Sequence, residues 1–267
     1  RGDRRSPLVG EPGWHHDVGM ATVELRTASD RADLLEREGL LEALGIALQT
    51  ASAGAGRLVF LAGEAGVGKT SLARRFCEDL PRSATVLWGG CDPLATPRPL
   101  GPFIEIADEY EALAEVAAED GGAHEIASTL LRLGDRWDPV VLVLEDVHWA
   151  DEATLDVLRV FGRRVGNAAA LAVVTYRDDE LERSHPLRVA LGDLATASTV
   201  DRLRVEPLSP DGVARLADGS DVDPGVLYAL TSGNPFYVTE VLATGSAGIP
   251  GTVRDIVLAR VLQLSRR

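Results

Sequence analysis

Apolar residues along this chain fall into two rhythms. In the stretches 57–62, 140–144 and 168–176 they occupy nearly every position, with Val, Leu and Ala dominant. Such runs suit strands buried on both faces of a parallel sheet. Residues 85–88 read as a further strand that ends at Gly89-Gly90, and 199–205 alternate apolar with polar, the pattern of an edge strand. Between these runs the apolar period lengthens to that of a helix. In 30–50 it is carried by Leu34, Leu35, Leu40, Leu41, Leu44, Ile46 and Leu48, and similar spacing recurs in 71–77, 103–118, 124–133, 151–161 and 186–194. Asp151 stands where an N-cap belongs. The proline-rich stretch 93–102 is a loop.

Strands that alternate with helices predict an α/β fold: a parallel sheet covered by helices on both faces. Ser209-Pro210-Asp211 is an N-cap followed by proline at the first helical position. From there only helical patterns follow, over 210–217, 223–231, 235–243 and 251–265. The expected division is therefore a disordered tail at 1–29, an α/β core at 30–206 and a small helical lid subdomain at 207–267. The tail is rich in Arg, Gly, Pro and His without periodicity, and its His15, His16 and Asp17 read as solvated residues rather than a metal site. No further domain is expected from the residues after Leu264.

The chain's single lysine lies in Gly63-Glu64-Ala65-Gly66-Val67-Gly68-Lys69-Thr70, which fits the phosphate-binding pattern G-x-x-x-x-G-K-[ST] at every fixed position. The glycines let backbone N–H groups curl around phosphates. A compact ammonium on a flexible stem reaches between β- and γ-phosphates, where a flat guanidinium would be bulky. Thr70 places a hydroxyl where Mg²⁺ needs an oxygen. The run sits between a predicted strand and a predicted helix that begins at Ser71, so it aims a helix N-terminus at an anion. The strand at 140–144 ends in Glu145-Asp146, two carboxylates expected at the same sheet edge and near the phosphate-loop strand. One can hold Mg²⁺ and the other can polarise an attacking water. Glu145 is assigned to the metal and Asp146 to water activation, with a swap left open.

Bulk composition narrows the partners. The 267 residues carry a net charge of −14, which disfavours non-specific attraction to nucleic acid or anionic lipid. No apolar run approaches the length of a membrane span, and the N-terminus lacks an apolar signal core. Cys77 and Cys91 suggest no disulfide framework. A reducing cytoplasm fits, and the scarcity of lysine beside abundant Ala, Arg, Gly, Leu and Val points to a GC-rich bacterial genome.

Glu145-Asp146-Val147-His148-Trp149-Ala150-Asp151 resembles the signature of the large ATP-binding regulators of the LuxR type, which are STAND/AAA-like P-loop NTPases. Further likeness follows in the same order: Leu35-Glu36-Arg37-Glu38, the stretch 91–100, Thr175-Tyr176-Arg177-Asp178-Asp179-Glu180-Leu181, Gly233-Asn234-Pro235-Phe236 and the stretch 249–255. The similarity runs over roughly 33–265. It implies a P-loop core with a strand added between loop and acids in sequence. It places Arg37 and Glu38 near an adenine pocket and makes Arg177 a γ-phosphate sensor, the other reading of Arg177 being a surface pair with Asp178, Asp179 or Glu180. It also has Gly233-Asn234-Pro235 bring the helical lid against the nucleotide, the other reading of that run being a plain helix start with proline in the first turn. His148 and Trp149 either report on the metal edge or are a core Trp with a hydrogen-bonded His. Two departures stand out: Glu145 replaces an aspartate common in relatives, and the helical sensor and helix-turn-helix of full regulators lie outside this chain.

The expected catalytic residues are therefore Lys69, Asp146 and Arg177. The nucleotide is bound by 63–71 with Arg37 and Pro235, and Mg²⁺ by Thr70 and Glu145. The expected function is that of a Mg²⁺-dependent, slowly ATP-hydrolysing switch module of a bacterial signalling or transcriptional regulator, with ATP and ADP as ligands. Self-association or a partner protein is left open, and direct nucleic-acid or membrane binding is not expected. The alternative is a non-catalytic nucleotide-binding scaffold for oligomerisation; a small-molecule kinase is a weaker third reading. Arg163 and Arg164 read as a surface pair on a helix, with an arginine finger for a neighbouring subunit as the other option.

Overall fold

The computed structural model describes residues 34–244 apart from 82, 95, 119–121 and 135–138. The expected tail at 1–29 and the last helix at 251–265 lie outside the described residues. Five strands form one parallel sheet: β1 (Arg57–Ala62), β2 (Thr85–Gly90), β3 (Val140–Glu145), β4 (Ala170–Tyr176) and β5 (Val200–Arg204), in the order β2-β3-β4-β1-β5.

The continuous apolar runs are explained by period-two burial on both faces. Leu58, Phe60, Leu142, Leu144, Ala172 and Val174 point to one side of the sheet. Val59, Leu61, Val141, Val143, Leu171 and Val173 point to the other. The second face is covered by α1 (Glu38–Ser52) and α2 (Lys69–Glu78). The first is covered by α3 (Gly101–Glu109), α4 (Glu111–Ala118), α5 (Ala123–Leu133), α6 (Glu152–Arg164) and α7 (Pro186–Asp193). Each buried Val or Leu of these strands contributes about 1.5–3 kcal/mol of apolar burial. Asp151 caps α6 as expected, accepting from the Thr154 N–H at 3.1 Å, and its other oxygen accepts from the Leu100 N–H at 3.1 Å. One carboxylate thus starts a helix and ties the proline-rich loop to it.

The acidic strand β3 lies near β1 with β4 between them, and the added strand β2, which intervenes in sequence, sits at the sheet edge. Two details differ from the sequence reading. Strand β2 runs through both glycines. A Cβ on Gly89 would lie 2.7 Å from the Pro102 carbonyl oxygen, so glycine is what lets the start of α3 pack on the strand. Finally, 103–118 is two helices, broken at Tyr110, whose backbone is extended (φ −131°, ψ 100°).

The strand order has a functional consequence. The chain leaves β1 toward β2 on one side, and leaves β4 toward β5 on the other. The loops after the adjacent strands β1 and β4 therefore part, opening a crevice at their carboxyl ends. Beyond β5 the chain forms α8 (Pro210–Leu216), α9 (Pro224–Thr231) and α10 (Pro235–Thr244). These share their own small core of Leu208, Val213, Leu227 and Val238, against which Leu35 packs. Ser209 and Asp223 cap α8 and α9 through side-chain bonds to Gly212 N–H (3.1 Å) and Val226 N–H (2.9 Å), each followed by proline at the first helical position.

Candidate functional site

Residues 63–68 form the loop between β1 and α2, turning through positive φ at Gly66 (75°) and Gly68 (98°). Lys69 opens α2 and is only 6 % exposed. Its ammonium donates to the Gly63 carbonyl at 2.8 Å and to the Glu64 carbonyl at 3.0 Å. Burial lowers its pKa, against the pull of Asp146. The Thr70 hydroxyl donates to Glu145 Oε1, and the Trp88 indole N–H donates to Glu145 Oε2 at 3.0 Å. The extra methylene of Glu145, relative to aspartate, is thus used to reach the loop threonine. Val67 is buried in the core, whereas Ser71 is exposed on the first turn of α2.

Asp146 follows directly at φ 53°, a left-handed conformation that Asp tolerates better than most residues. The turn is held by its own N–H, which donates to Thr175 Oγ1 at 3.0 Å. Burial raises the Asp146 pKa, while Arg177 and Lys69 draw it down. Arg177 stands one residue beyond β4. It donates to Glu180 Oε1 at 2.6 Å, lies over the Trp149 ring at 4.8 Å, and has its Nε 3.9 Å from Asp146 Oδ1. The surface-pair reading of Arg177 is therefore realised through Glu180, at a place that also faces the acid and the loop lysine.

The helical segment contacts the loop directly. Asn234, 1 % exposed, donates from Nδ2 to the Ala65 carbonyl (2.8 Å) and to Glu64 Oε1 (2.9 Å). The Phe236 N–H donates to the Gly66 carbonyl at 3.3 Å. Pro235, half-buried between these two residues, starts α10. A Cβ on Gly66 would lie 2.8 Å from Phe236 Cβ, so the loop glycine serves the helical contact as well as the turn. Arg37 is turned onto backbone carbonyls. It is 4 % exposed and donates to the carbonyls of Glu36 (3.0 Å), Val67 (3.3 Å) and Glu206 (2.7 Å). It braces the loop and the β5–α8 connection from behind, because a buried guanidinium needs several acceptors. Glu38 is exposed at the start of α1. Arg163 and Arg164 are exposed on α6, with Arg164 Nη1 2.8 Å from His124 Nε2.

Gly233 locks this arrangement. Its φ is 76°, its carbonyl accepts from the Leu208 N–H at 2.8 Å, and a Cβ would lie 2.0 Å from the Leu208 oxygen. Positive φ alone costs a non-glycine residue about 1–2 kcal/mol. With the clash added, Gly233→Ala should loosen the helical segment by more than about 2 kcal/mol. Amide exchange should show lost protection in 207–244, with β1, β3 and β4 unchanged; equal protection throughout would contradict this.

His148 has a side chain 1 % exposed, tilted at 38° against Trp149 with ring centroids 4.4 Å apart. Its Nε2 lies 3.3 Å from Glu180 Oε2 and its Nδ1 3.8 Å from Asp146 Oδ1, yet among the described residues neither nitrogen has a hydrogen-bond partner. The hydrogen-bonded core histidine of the sequence reading is thus not what forms. Burial pushes its pKa down to about 4, with Arg177, Lys69 and His185 acting the same way and Glu180 opposing. An unfolded chain takes up this proton near the ordinary value and the folded chain does not. Stability should therefore fall as pH drops from about 6.5 to about 4, by on the order of 2 kcal/mol from this residue. Urea unfolding at pH 7.5 and pH 5 should show a smaller pH difference in His148→Gln than in wild type; an equal difference would contradict the assignment.

Sequence reasoning missed Trp88 and Thr175 as parts of the site, and it held the approach of the Asn234 run without its bonds to the loop. Thr175 left a signal: it is a hydroxyl inside an apolar run, at the carboxyl end of a buried strand. The bond from Trp88 depends on the register of β2 against β3, in which Gly90 faces Glu145. That register is not written in local spacing.

A glycine loop between β1 and α2, an acid pair ending β3, and the β2-β3-β4-β1-β5 sheet define a P-loop NTPase. The AAA ATPase domain family matches residues 33–174, more than half of the chain, and the chain belongs to that family. A Walker-type ATPase of Pyrococcus abyssi aligns over 89 % of this chain and 77 % of its own, with TM-score 0.58 and 15 % identity. Cdc6p of Pyrobaculum aerophilum aligns over 79 % of this chain and 61 % of its own, with TM-score 0.52 and 19 % identity. Both likenesses are of fold. An uncharacterised protein of Rhizobium meliloti (strain 1021) is 25 % identical across 83 % of this chain and 26 % of its own length. The chain thus spans about a quarter of that relative. Among the described residues no helix is long and apolar enough to cross a membrane.

Proposed function

We propose that the chain is a Mg²⁺-dependent ATP-binding and slowly ATP-hydrolysing switch module, acting within a bacterial signalling or transcriptional regulator. The observation that carries this reading is the bond between the Thr70 hydroxyl and Glu145, residues 75 positions apart, beside the buried ammonium of Lys69. Phosphate cradle, cation and metal-type oxygens converge on one point. Thr70 and Glu145 would hold Mg²⁺, which suits an ion that takes few protein ligands and shares its shell with phosphates and water. When bound, the ion neutralises charge on the phosphoryl oxygens. Lys69 positions the β- and γ-phosphates, Asp146 orients the attacking water and accepts its proton, and Arg177 meets the γ-phosphate. Asn234 and Phe236 hang the helical segment on loop carbonyls 65 and 66, so a phosphate that reshapes the loop would move that segment. The reach of Glu145 to Thr70 supports a metal-holding role for Glu145 and so favours the switch over the scaffold alternative.

The test is titration of ATP, ADP and GTP with and without Mg²⁺, with phosphate release followed on the same sample. Mg²⁺-dependent preference for ATP with slow release supports the switch. Tight binding with release at the buffer rate supports the scaffold.

A further inference from the structure

Glu180 holds the group that the γ-phosphate needs. Arg177 is, with Lys69, a cationic side chain proposed for that phosphate, and its Nη1 is already bonded to Glu180 Oε1 at 2.6 Å. The pair is partly sheltered, with side-chain exposures of 25 % for Arg177 and 39 % for Glu180. It sits on the tight turn that follows β4, where i and i+3 residues meet. The second oxygen of Glu180 lies 3.3 Å from Nε2 of the buried His148. The face of Arg177 rests on Trp149, which keeps the guanidinium in place when its carboxylate partner changes. Two anions, one resident and one incoming, thus compete for a single fork of donors.

We infer that Glu180 sets the discrimination between nucleoside triphosphate and diphosphate, by occupying Arg177 until a γ-phosphate displaces it toward His148. The inference rests on the reading of Arg177 as the γ-phosphate partner. A diphosphate leaves the Arg177–Glu180 pair intact and bears no cost from it. A triphosphate must break the pair, so its apparent affinity is reduced by the fraction of molecules in which Arg177 is free. The pair therefore subtracts from triphosphate binding alone. Glu180 acts through Arg177 and is a specificity-determining residue, not a catalytic one.

Equilibrium binding of ATP and ADP with Mg²⁺ to wild type, Glu180→Gln, Arg177→Ala and the double variant tests this. Glu180→Gln should raise the ratio of ATP to ADP affinity on the order of fivefold, the scale of a partly exposed ion pair. In the Arg177→Ala background the same substitution should leave the ratio unchanged. An unchanged ratio in Glu180→Gln, or an equal rise in both backgrounds, overturns the inference while leaving nucleotide binding in place. If none of the four proteins binds either nucleotide, the site reading fails and this inference falls with it.

Discussion

Lys69→Ala should lose ATP binding by a factor of about 100 or more while the fold persists. A hydrogen bond to a charged partner contributes about 1.5–3 kcal/mol, so losing roughly two ammonium–phosphate bonds reaches that factor. The lysine is buried and donates to the Gly63 and Glu64 carbonyls. Lys69 belongs to neither apolar cluster of the sheet, so its removal opens no cavity in either face. Calorimetric titration of both proteins reads the effect, and thermal melts establish that the variant is folded. ATP affinity equal to wild type would remove the basis of the whole site.

Asp146→Asn should separate chemistry from binding. Asp146 sits on a strained turn held by Thr175, and burial keeps its pKa above the usual carboxylate value, which suits a proton acceptor. General-base catalysis contributes about 10²–10⁴-fold, so phosphate release should fall by at least about 100-fold. ATP affinity should stay near that of wild type, because the metal-facing carboxylate is Glu145, bonded to Thr70 and Trp88. Equal release from both proteins would mean that Asp146 takes no part in hydrolysis. Lost binding with lost release would reverse the assignment of the two acids.

Much of the frame was legible because its causes are local. A run such as Val140–Leu144 admits little besides a strand buried on both faces, and Ser209-Pro210 carries a helix start in one hydroxyl and one ring. The phosphate loop declares itself because few residues other than glycine turn at φ 75° and 98°. What stayed hidden depends on the third dimension. The break at Tyr110 lies between two halves that each keep a helical apolar pattern, so periodicity passes over it. The place of β4 between β1 and β3 follows from strand order, and it brings Thr175, Arg177 and Glu180 to the acids. Arg37 illustrates the limit of motif reading. Its type and position were legible, yet its donors turn to three backbone carbonyls, so it acts on the site through the loop it braces. Asn234 is the converse case. Its run, Gly233-Asn234-Pro235, carries in sequence both a helix start and an approach of the helical lid to the nucleotide, but not the buried bond from Asn234 to the loop carbonyl.

The central claim is tested most directly by a crystal structure with Mg²⁺ and a non-hydrolysable ATP analogue. The account predicts the triphosphate lying along 63–70, Lys69 Nζ between the β- and γ-phosphates, and the ion bonded to Thr70 Oγ1 with Glu145 beside it. A nucleotide bound elsewhere, with Lys69 still on the Gly63 and Glu64 carbonyls and no phosphate within its reach, would contradict it.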